Sequence, residues 1–367
     1  MKVRYSYLAQ QFADCDDLWL QLKEFVKPGD FTLGAPLTEF ENKFANLIGT
    51  KYAVGVNSGT DAIKLSLVAA GVKAGDEVIT AANTFVATVG AIAEIGAIPK
   101  FVDCNDTFCM NVDLVEAAIN EKTTAIVPVH FTGYMTDMRK LMPVAKRHNL
   151  PVIEDACQSI LGEIDGRKAG TWGMTGAFSL HPLKNLNVWS DGGLIVTDDP
   201  KVAEHLRLIR NHGLVNRDEV QLLGYNSRLD TLQAVVGNWL IPQTEDIASK
   251  RINNAAKYDA GLRAIPGVEI PPRPADFKVV YHLYMVFAEK RDELLAYCQA
   301  RGIEAKVHYP VPIYRQEALK AFGPIGEFPV TDRHARSVIS FPCDQHLTDE
   351  EINFVISTVA DFYAGVK

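Results

Sequence analysis

Short apolar runs alternate with amphipathic stretches along roughly the first two-thirds of the chain. The runs are rich in β-branched residues and almost free of polar ones, which is typical of strands buried on both faces of a mostly parallel sheet. Seven segments share this pattern and are predicted as strands: 51–56, 76–81, 98–103, 124–131, 150–156, 175–180 and 192–197. Helical patterns lie between them, and Gly71 follows one of these where a helix C-terminal cap is expected. Strands alternating with helices predict a layered α/β fold.

The pattern changes after about residue 240. A long amphipathic helix is predicted over 249–265, and a proline-rich stretch follows it. Beyond that stretch come a strand-like segment at 281–289, a helical one at 291–302, a strand-like one at 303–312 and a final helix from Thr348. We therefore expect a large domain over 1–245 and a smaller C-terminal α+β domain over 246–367.

Composition excludes some classes of protein but does not indicate a particular reaction. The 367 residues are 47% hydrophobic and 22% charged, with a net charge of −8. An acidic balance argues against a general nucleic-acid binder, which normally presents a basic face. The six cysteines form no CxxC pair, so we expect reduced thiols and no metal site. The N-terminus lacks an apolar leader and no run reaches membrane-span length, which predicts a soluble, cytoplasmic protein without a membrane partner.

A candidate anion site lies at Ser58-Gly59-Thr60, between a predicted strand and a predicted helix. Glycine allows close approach of the backbone, and free N–H groups at a helix N-terminus favour an anion. The alternative is simple helix capping by Ser58, Thr60 or Asp61. The segment has neither the Walker pattern nor GxGxxG, so it does not indicate a nucleotide fold.

Two further candidates stand at the ends of later strands. Asp155 ends an apolar strand, where strand ends in α/β sheets face the ligand crevice. Its alternative role is a structural ion pair. Lys184 follows another strand in the uncharged run FSLHPLKNLNVWSDGG. An ordinary lysine is a poor nucleophile at neutral pH, whereas a semi-enclosed one suits carbonyl chemistry.

The three candidates together match the needs of one cofactor, pyridoxal phosphate. Its phosphate needs N–H and hydroxyl donors, its pyridine nitrogen needs a carboxylate, and its aldehyde needs an amine. The chain supplies these in order at Gly59-Thr60, Asp155 and Lys184.

At this point the sequence resembles the pyridoxal-phosphate-dependent sugar aminotransferases of the DegT/DnrJ/StrS type. That family has the fold of the type I pyridoxal-phosphate enzymes: a large α/β/α domain with a mostly parallel mixed sheet, and a smaller C-terminal α+β domain. The resemblance covers nearly the whole chain, through nine segments in the family's order: FTLGAPLTEFENKFA, VNSGTDAI, ANTFVAT, VHFTG, IEDACQS, FSLHPLKNL, DGG, GYNSRLD and VHYPVP.

The resemblance implies roles for individual residues. Lys184 would form the Schiff base with the cofactor and then move the proton, Asp155 would pair with the pyridine nitrogen, and Gln158 would bond the ring hydroxyl. The residues that would bind the phosphate are Ser58, Gly59, Thr60 and Ser179. Phe85 would stack on the cofactor ring. His308 and Tyr309 would line the substrate entrance. Asn226 would reach the phosphate of the neighbouring subunit, which implies a homodimer with shared active sites. Phe85 as a core residue, Ser179 as a strand-end hydroxyl and Asn226 as a turn residue are the structural alternatives.

The resemblance also implies a reaction. We expect an enzyme that moves an amino group from L-glutamate to a keto or aldehydo sugar for surface polysaccharide or lipopolysaccharide synthesis. One alternative is a keto-sugar dehydratase of the same fold, a branch in which histidine replaces the Schiff-base lysine. The other is a non-catalytic regulatory protein that kept the fold, against which Lys184, Asp155 and Gln158 argue.

One segment departs from the family pattern. NVWS follows the lysine where the family often has a small, glycine-rich stretch, and it brings in the bulky Trp189. Trp189 either packs beneath the loop or forms a wall of the substrate pocket. The form HPLKNLNVWSDGG is similar to a branch that aminates oxidised 3-deoxy-octulosonate to an 8-amino sugar acid, beside the commoner nucleotide-linked keto-hexoses.

Overall fold

The computed structural model describes residues 1–323 and 325–366. Its strands are β1 (Tyr52–Val56), β2 (Glu77–Ala81), β3 (Ile98–Val102), β4 (Thr123–Val127), β5 (Ile153–Asp155), β6 (Glu163–Ile164), β7 (Arg167–Lys168), β8 (Thr175–Ser179), β9 (Gly193–Thr197), β10 (Val268–Glu269), β11 (Phe277–Lys278), β12 (Tyr284–Ala288) and β13 (Val338–Phe341).

The helices divide into thirteen α-helices and four short 3-10 helices within the described residues. The α-helices are α1 (Leu8–Gln11), α2 (Asp16–Phe25), α3 (Ala35–Ile48), α4 (Gly59–Ala69), α5 (Val86–Glu94), α6 (Val115–Ala118), α7 (Met138–Arg147), α8 (Pro200–Ile209), α9 (Thr231–Leu240), α10 (Thr244–Leu262), α11 (Arg291–Ala300), α12 (Pro329–Ser337) and α13 (Asp349–Tyr363). The 3-10 helices are Val112–Leu114, Ile241–Gln243, Ile313–Arg315 and Glu317–Phe322.

The large sheet is mixed, with one antiparallel strand. Four strands pair in the order β1-β9-β8-β5 and three in the order β3-β2-β4. Parallel bridges Ile126↔Val152 and Val129↔Asp155 join the two sets between β4 and β5. Only β9 runs against its neighbours in the resulting order β3-β2-β4-β5-β8-β9-β1. This confirms the mostly parallel sheet predicted from the buried apolar runs.

Helices cover both faces of this sheet because strand residues alternate between them. On one face Val54 and Val56 join an apolar cluster with residues of α4, α5 and α8. On the other, neighbouring strand residues such as Ala53 pack with α3, whose Phe40 and Phe44 are fully buried. The α/β/α layering follows from this alternation.

Local predictions hold in most places and fail in one. The seven strands are present, and Gly71 has the left-handed φ of 83° expected after α4. Thr348 caps α13 with a full capping box. The predicted strand over 303–312 is wrong: that segment makes only isolated bridges, Ile303 to Val3 and Lys306 to Ser340. Its prolines and its exposed positions leave too few paired N–H groups for a strand.

The C-terminal part carries its own antiparallel sheet, β10-β12-β13. The boundary predicted near 245 lies at the start of α10, and the division into two domains stays a prediction. The chain start packs on this C-terminal part, since the Tyr7 N–H donates to Asp344 at 3.2 Å. Among the described residues, no helix has both the length and the apolar character that crossing a membrane requires.

Candidate active site

A cavity of about 370 Å³ opens at the carboxyl ends of β1, β5 and β8. These three strands run in one direction, so the residues that end or follow them meet at one edge of the sheet. Ten of the residues predicted for the site line the cavity: Ser58, Gly59, Thr60, Phe85, Asp155, Gln158, Ser179, Lys184, His308 and Tyr309. Trp189 and Asn226 are not part of its lining.

The N-terminus of α4 forms one end of the cavity. Ser58 is its extended N-cap, and the Ser58 hydroxyl accepts the Asp61 N–H at 3.1 Å. The capping alternative is therefore real, but it leaves the first N–H groups of the helix, at Gly59 and Thr60, facing a lined cavity. A Cβ on Gly59 would lie 2.6 Å from the Cβ of Ser179. Only glycine lets this turn approach the end of β8 so closely.

Asp155 is held by three separate contacts. It is 5% exposed, and its Oδ2 accepts the Thr88 hydroxyl at 2.7 Å. Its Oδ1 accepts the Cys157 N–H at 3.2 Å, while its backbone N–H donates to the Pro128 carbonyl at 2.9 Å. These bonds fix a carboxylate at the cavity wall, and within residues 1–323 and 325–366 it forms no ion pair, so these contacts do not support the structural ion-pair alternative.

Gln158 is oriented by the backbone of a neighbouring loop. Its Oε1 accepts the Thr132 N–H at 2.8 Å. Because the oxygen is occupied, the amide nitrogen is the end that is free to donate. Gln158 thus presents a donor, which is what an ionised ring hydroxyl requires.

Lys184 lies in a turn, and hydrogen bonds fix both its backbone N–H and its backbone carbonyl. Its N–H donates to the His181 carbonyl at 2.8 Å, and its carbonyl accepts Asn187 Nδ2 at 3.0 Å. Burial lowers the pKa of its amine, although Cys157 and Asp155 act in the opposite direction. A lowered pKa leaves more of the uncharged amine, which is the nucleophilic form.

Side chains from distant segments complete the cavity. Phe85 is 49% exposed, and its ring centroid lies 6.0 Å from that of Tyr309. The His308 Nδ1 lies 2.8 Å from the Ser340 hydroxyl. Burial, followed by the charges of Lys306 and Lys184, lowers the pKa of His308 to about 4. The His308 ring is therefore neutral at pH 7.

Several site residues were missed by sequence reasoning. Thr88 belongs to the segment ANTFVAT, but a hydroxyl one helical turn past Phe85 gave no sign that it would meet Asp155. Tyr5, Arg251 and Lys306 also line the cavity. Tyr5 comes from the chain start, and Arg251 and Lys306 come from the part after residue 245; all three lie outside the strand–helix turns, so no local signal could have found them.

Trp189 packs against the protein rather than along the cavity. Its ring centroid lies 5.9 Å from that of Phe12 and 5.1 Å from that of Trp19, and its backbone N–H donates to Gln233 Oε1 at 2.9 Å. The packing alternative accounts for these contacts. Asn226 is exposed and bridges the backbone of Asn211. Its role in a neighbouring subunit stays a prediction.

The donor set fits pyridoxal phosphate. Free N–H groups and the Ser179 hydroxyl stand at one end, with a carboxylate, an amide donor and an amine along the walls. The backbone comes close enough that a Cβ on Gly193 would lie 2.2 Å from the Ser58 carbonyl oxygen. In addition, His282 Nδ1 is buried beside the cavity without a partner among the described residues. The site therefore offers each of the three contacts that the cofactor needs.

Comparison with known proteins gives a consistent picture. The DegT/DnrJ/EryC1/StrS aminotransferase family profile matches residues 16–360. The chain is 40% identical to a pleiotropic regulatory protein of Geobacillus stearothermophilus, over 99% of each chain. It is 39% identical to a dTDP-3-amino-3,4,6-trideoxy-alpha-D-glucose transaminase of Streptomyces venezuelae, over 91% of this chain and 89% of the other.

Solved structures agree with these relatives. Streptomyces venezuelae DesV, in complex with a ketimine intermediate, superposes with a TM-score of 0.96 at 36% identity, covering 99% of this chain and 98% of the other. Bacillus subtilis NtdA with bound pyridoxamine phosphate superposes with a TM-score of 0.92 at 29% identity, covering 99% and 85%. The resemblance read from nine sequence segments is thereby confirmed for the family, the fold and the cofactor.

Proposed function

Since the chain belongs to the DegT/DnrJ/EryC1/StrS aminotransferase family, we propose that this pyridoxal-phosphate-dependent aminotransferase moves the amino group of L-glutamate to a keto sugar linked to a nucleotide. The observation that carries the proposal is the meeting of Lys184, Asp155 and the α4 N-terminus in one cavity. Glutamate leaves as 2-oxoglutarate, and the sugar carbonyl becomes an amine.

The chain's residues have separable tasks in this reaction. When bound, pyridoxal phosphate supplies an electron-accepting ring and a carbonyl that takes up the amino group. Lys184 would hold the cofactor and, as a free amine, would carry the transferred proton at Nζ. Asp155 would stabilise the protonated ring nitrogen, and Gln158 would donate to the ring hydroxyl. The N–H groups of Gly59 and Thr60 would hold the phosphate with help from the α4 dipole.

The acceptor is proposed from the relatives' printed activities. Relatives at 39% and 36% identity are named for 3-amino sugars on dTDP and UDP carriers. The likeness of HPLKNLNVWSDGG to the octulosonate branch makes oxidised 3-deoxy-octulosonate the second compound to test. With either acceptor, the amino sugar would be made in the cytoplasm for surface polysaccharide or lipopolysaccharide.

A homodimer is proposed from an exposed apolar segment. Val215, Val220 and Leu223 are 51%, 54% and 96% exposed, and they lie within the eleven residues before Asn226. Burying such side chains against a second copy stabilises a dimer, and it would carry Asn226 to the partner's phosphate end. Leu223→Asp should halve the mass measured by light scattering, whereas Leu114→Asp at a remote exposed position should not. A wild-type monomer would contradict the proposal.

The decisive experiment separates the proposed reaction from its alternatives. Purified protein is given glutamate and a panel of dTDP- and UDP-linked keto-hexoses together with oxidised 3-deoxy-octulosonate, and products are identified by mass spectrometry. We expect an amino sugar and 2-oxoglutarate, and neither from Lys184→Ala. Deoxygenated sugar without amine would indicate a dehydratase. No cofactor absorbance change with glutamate would indicate a non-catalytic protein.

A further inference from the structure

We propose that Lys306 anchors a second anion subsite in the cavity, and that it binds an anionic oxygen group of a substrate, a carboxylate or a phosphate. The inference rests on the proposed function, because it assigns part of the same cavity to substrate. It adds a cation that none of the sequence motifs pointed to.

The backbone of Lys306 is fixed beside the cavity. Its N–H donates to the Ser340 carbonyl at 3.0 Å, and the Ser340 N–H donates back to the Lys306 carbonyl at 2.8 Å. Two residues before Lys306, the Glu304 N–H donates to the Val3 carbonyl at 3.0 Å. The segment that carries Lys306 is thus tied on both sides, and only its side chain can adapt.

Tyr5 orients the ammonium group of Lys306. Lys306 Nζ lies 4.3 Å from the centroid of the Tyr5 ring, within the range of a cation–π contact. The Tyr5 backbone N–H donates to Glu304 Oε2 at 2.9 Å, which ties the Tyr5 backbone to the segment that carries Lys306. Within residues 1–323 and 325–366 no carboxylate oxygen lies within 4.0 Å of Lys306 Nζ. A ring face orients a cation but does not neutralise its charge.

The other cations of the cavity have fixed tasks. Lys184 is the cofactor's amine. The guanidinium of Arg251 is engaged: Nε donates to Gln345 Oε1 at 3.0 Å, Nη1 to the Tyr281 carbonyl at 3.3 Å, and Nη2 lies 3.6 Å from Asp344. Among the lysines and arginines that line the cavity in the described part of the chain, Lys306 is therefore the one that remains available to bind a mobile anion.

Lys306 and Lys184 are the two cations that act on His308. Burial, then the charge of Lys306, then that of Lys184, lowers the pKa of His308 to about 4. His308 is consequently neutral at pH 7 and does not add a charge of its own. Asp344, one of the three aspartates that line the cavity, is already engaged by Arg251 and by His346 at 3.0 Å. An anion entering here meets a cation without displacing a protein carboxylate.

The test measures the two half-reactions separately. Lys306→Met and Lys306→Arg are compared with wild type and with Lys320→Met, an exposed lysine paired with Glu317 elsewhere. The absorbance change of the bound cofactor is followed with glutamate, and in reverse with the amino sugar nucleotide. Loss of a charge-assisted contact should raise the half-saturating concentration of one substrate ~10-fold or more in Lys306→Met. Lys306→Arg should recover most of this loss, and Lys320→Met should match wild type.

Each outcome has one meaning. A rise for the sugar nucleotide alone assigns the subsite to its phosphates, and a rise for glutamate alone assigns it to a donor carboxylate. Unchanged half-saturation for both substrates, or a loss confined to cofactor affinity, would overturn the inference. If no sugar nucleotide reacts with wild type, the proposed acceptor fails. In that case the half-reaction with glutamate alone tests whether Lys306 binds an anionic group.

Discussion

The Thr88 hydroxyl donates to Asp155 Oδ2 at 2.7 Å, and the Thr84 hydroxyl lies 2.7 Å from that of Thr88. A carboxylate oxygen can only accept, so Thr88 uses its proton on Asp155 and must accept from Thr84. The two threonines form a directed chain that ends on the Asp155 carboxylate at the cavity wall. This arrangement holds the orientation of Asp155.

Removing the Thr88 hydroxyl should weaken the site through Asp155. Thr88→Val keeps the shape but leaves Asp155 Oδ2 buried with one bond fewer, at about 1–3 kcal/mol. We expect cofactor affinity, measured by absorbance titration, to fall about tenfold. Thr84→Val, which removes only the outer link, should have a smaller effect. Equal affinities in Thr88→Val and wild type would show that the bond does not support Asp155.

Gly59 is required by space rather than by its backbone angles. A Cβ there would lie 2.6 Å from the Ser179 Cβ and 3.0 Å from Cys157 Sγ, so Gly59→Ala must push β8 and the α4 N-terminus apart. If these two elements hold the cofactor's phosphate as proposed, cofactor affinity should fall at least about tenfold, which is the loss of one good charged contact. Equilibrium dialysis of the cofactor measures this.

Gly90 is the matched control within the next helix. It lies in α5, and nothing would approach its Cβ within 4 Å. Gly90→Ala should leave cofactor affinity unchanged and stabilise the fold by roughly 0.5–1 kcal/mol, since alanine restricts the unfolded chain. If both substitutions changed cofactor affinity alike, close packing at Gly59 would not be the cause.

The sequence predicted the sheet and the meeting of Gly59, Asp155 and Lys184 in one cavity because these depend on local pattern. Apolar runs marked the strands, and Ser58, Asp155 and Ser179 stand where parallel strands end, which brings them to one edge. Lys306 and Tyr5 were out of reach, because contacts between residues about 300 positions apart, such as the bridge of Val3 with Ile303, bring the chain start to the cavity. For Trp189 the sequence left two alternatives, and its neighbours Phe12 and Trp19 are distant in sequence.

Lys184 should destabilise the protein when the cofactor is absent. Its folded pKa lies below the ordinary 10.5 because of burial, so the unfolded chain binds more protons between these two values. Stability therefore rises with pH across that window, and below it the buried charge is penalised in full. In the cofactor-free form at pH 7, Lys184→Met should raise the melting temperature by roughly 1–3 °C. The gain should shrink as the pH approaches 10.5.

Lys64 is the control for this prediction, because its pKa is shifted upward where that of Lys184 is shifted downward. Burial lowers its pKa, but Asp61 and Glu94 outweigh burial, so the net direction is upward. Lys64→Met leaves those carboxylates unpaired and should lower the melting temperature at pH 7. Thermal scans of both variants from pH 7 to 10 check the prediction. A lower melting temperature in cofactor-free Lys184→Met would contradict the assigned direction of its pKa.

Substitution of Trp189 tests whether its side chain serves packing or substrate recognition. Because its ring contacts Phe12 and Trp19 and does not line the cavity, Trp189→Ala should act on stability. For a partly buried tryptophan we expect a loss of about 2 kcal/mol in denaturant unfolding, below the range for fully buried aromatic residues. Trp19→Ala, at a position 57% exposed, should lose less. Relative rates on the sugar panel should stay unchanged in both variants. An altered acceptor preference in Trp189→Ala alone, at unchanged stability, would instead place this side chain in a substrate pocket.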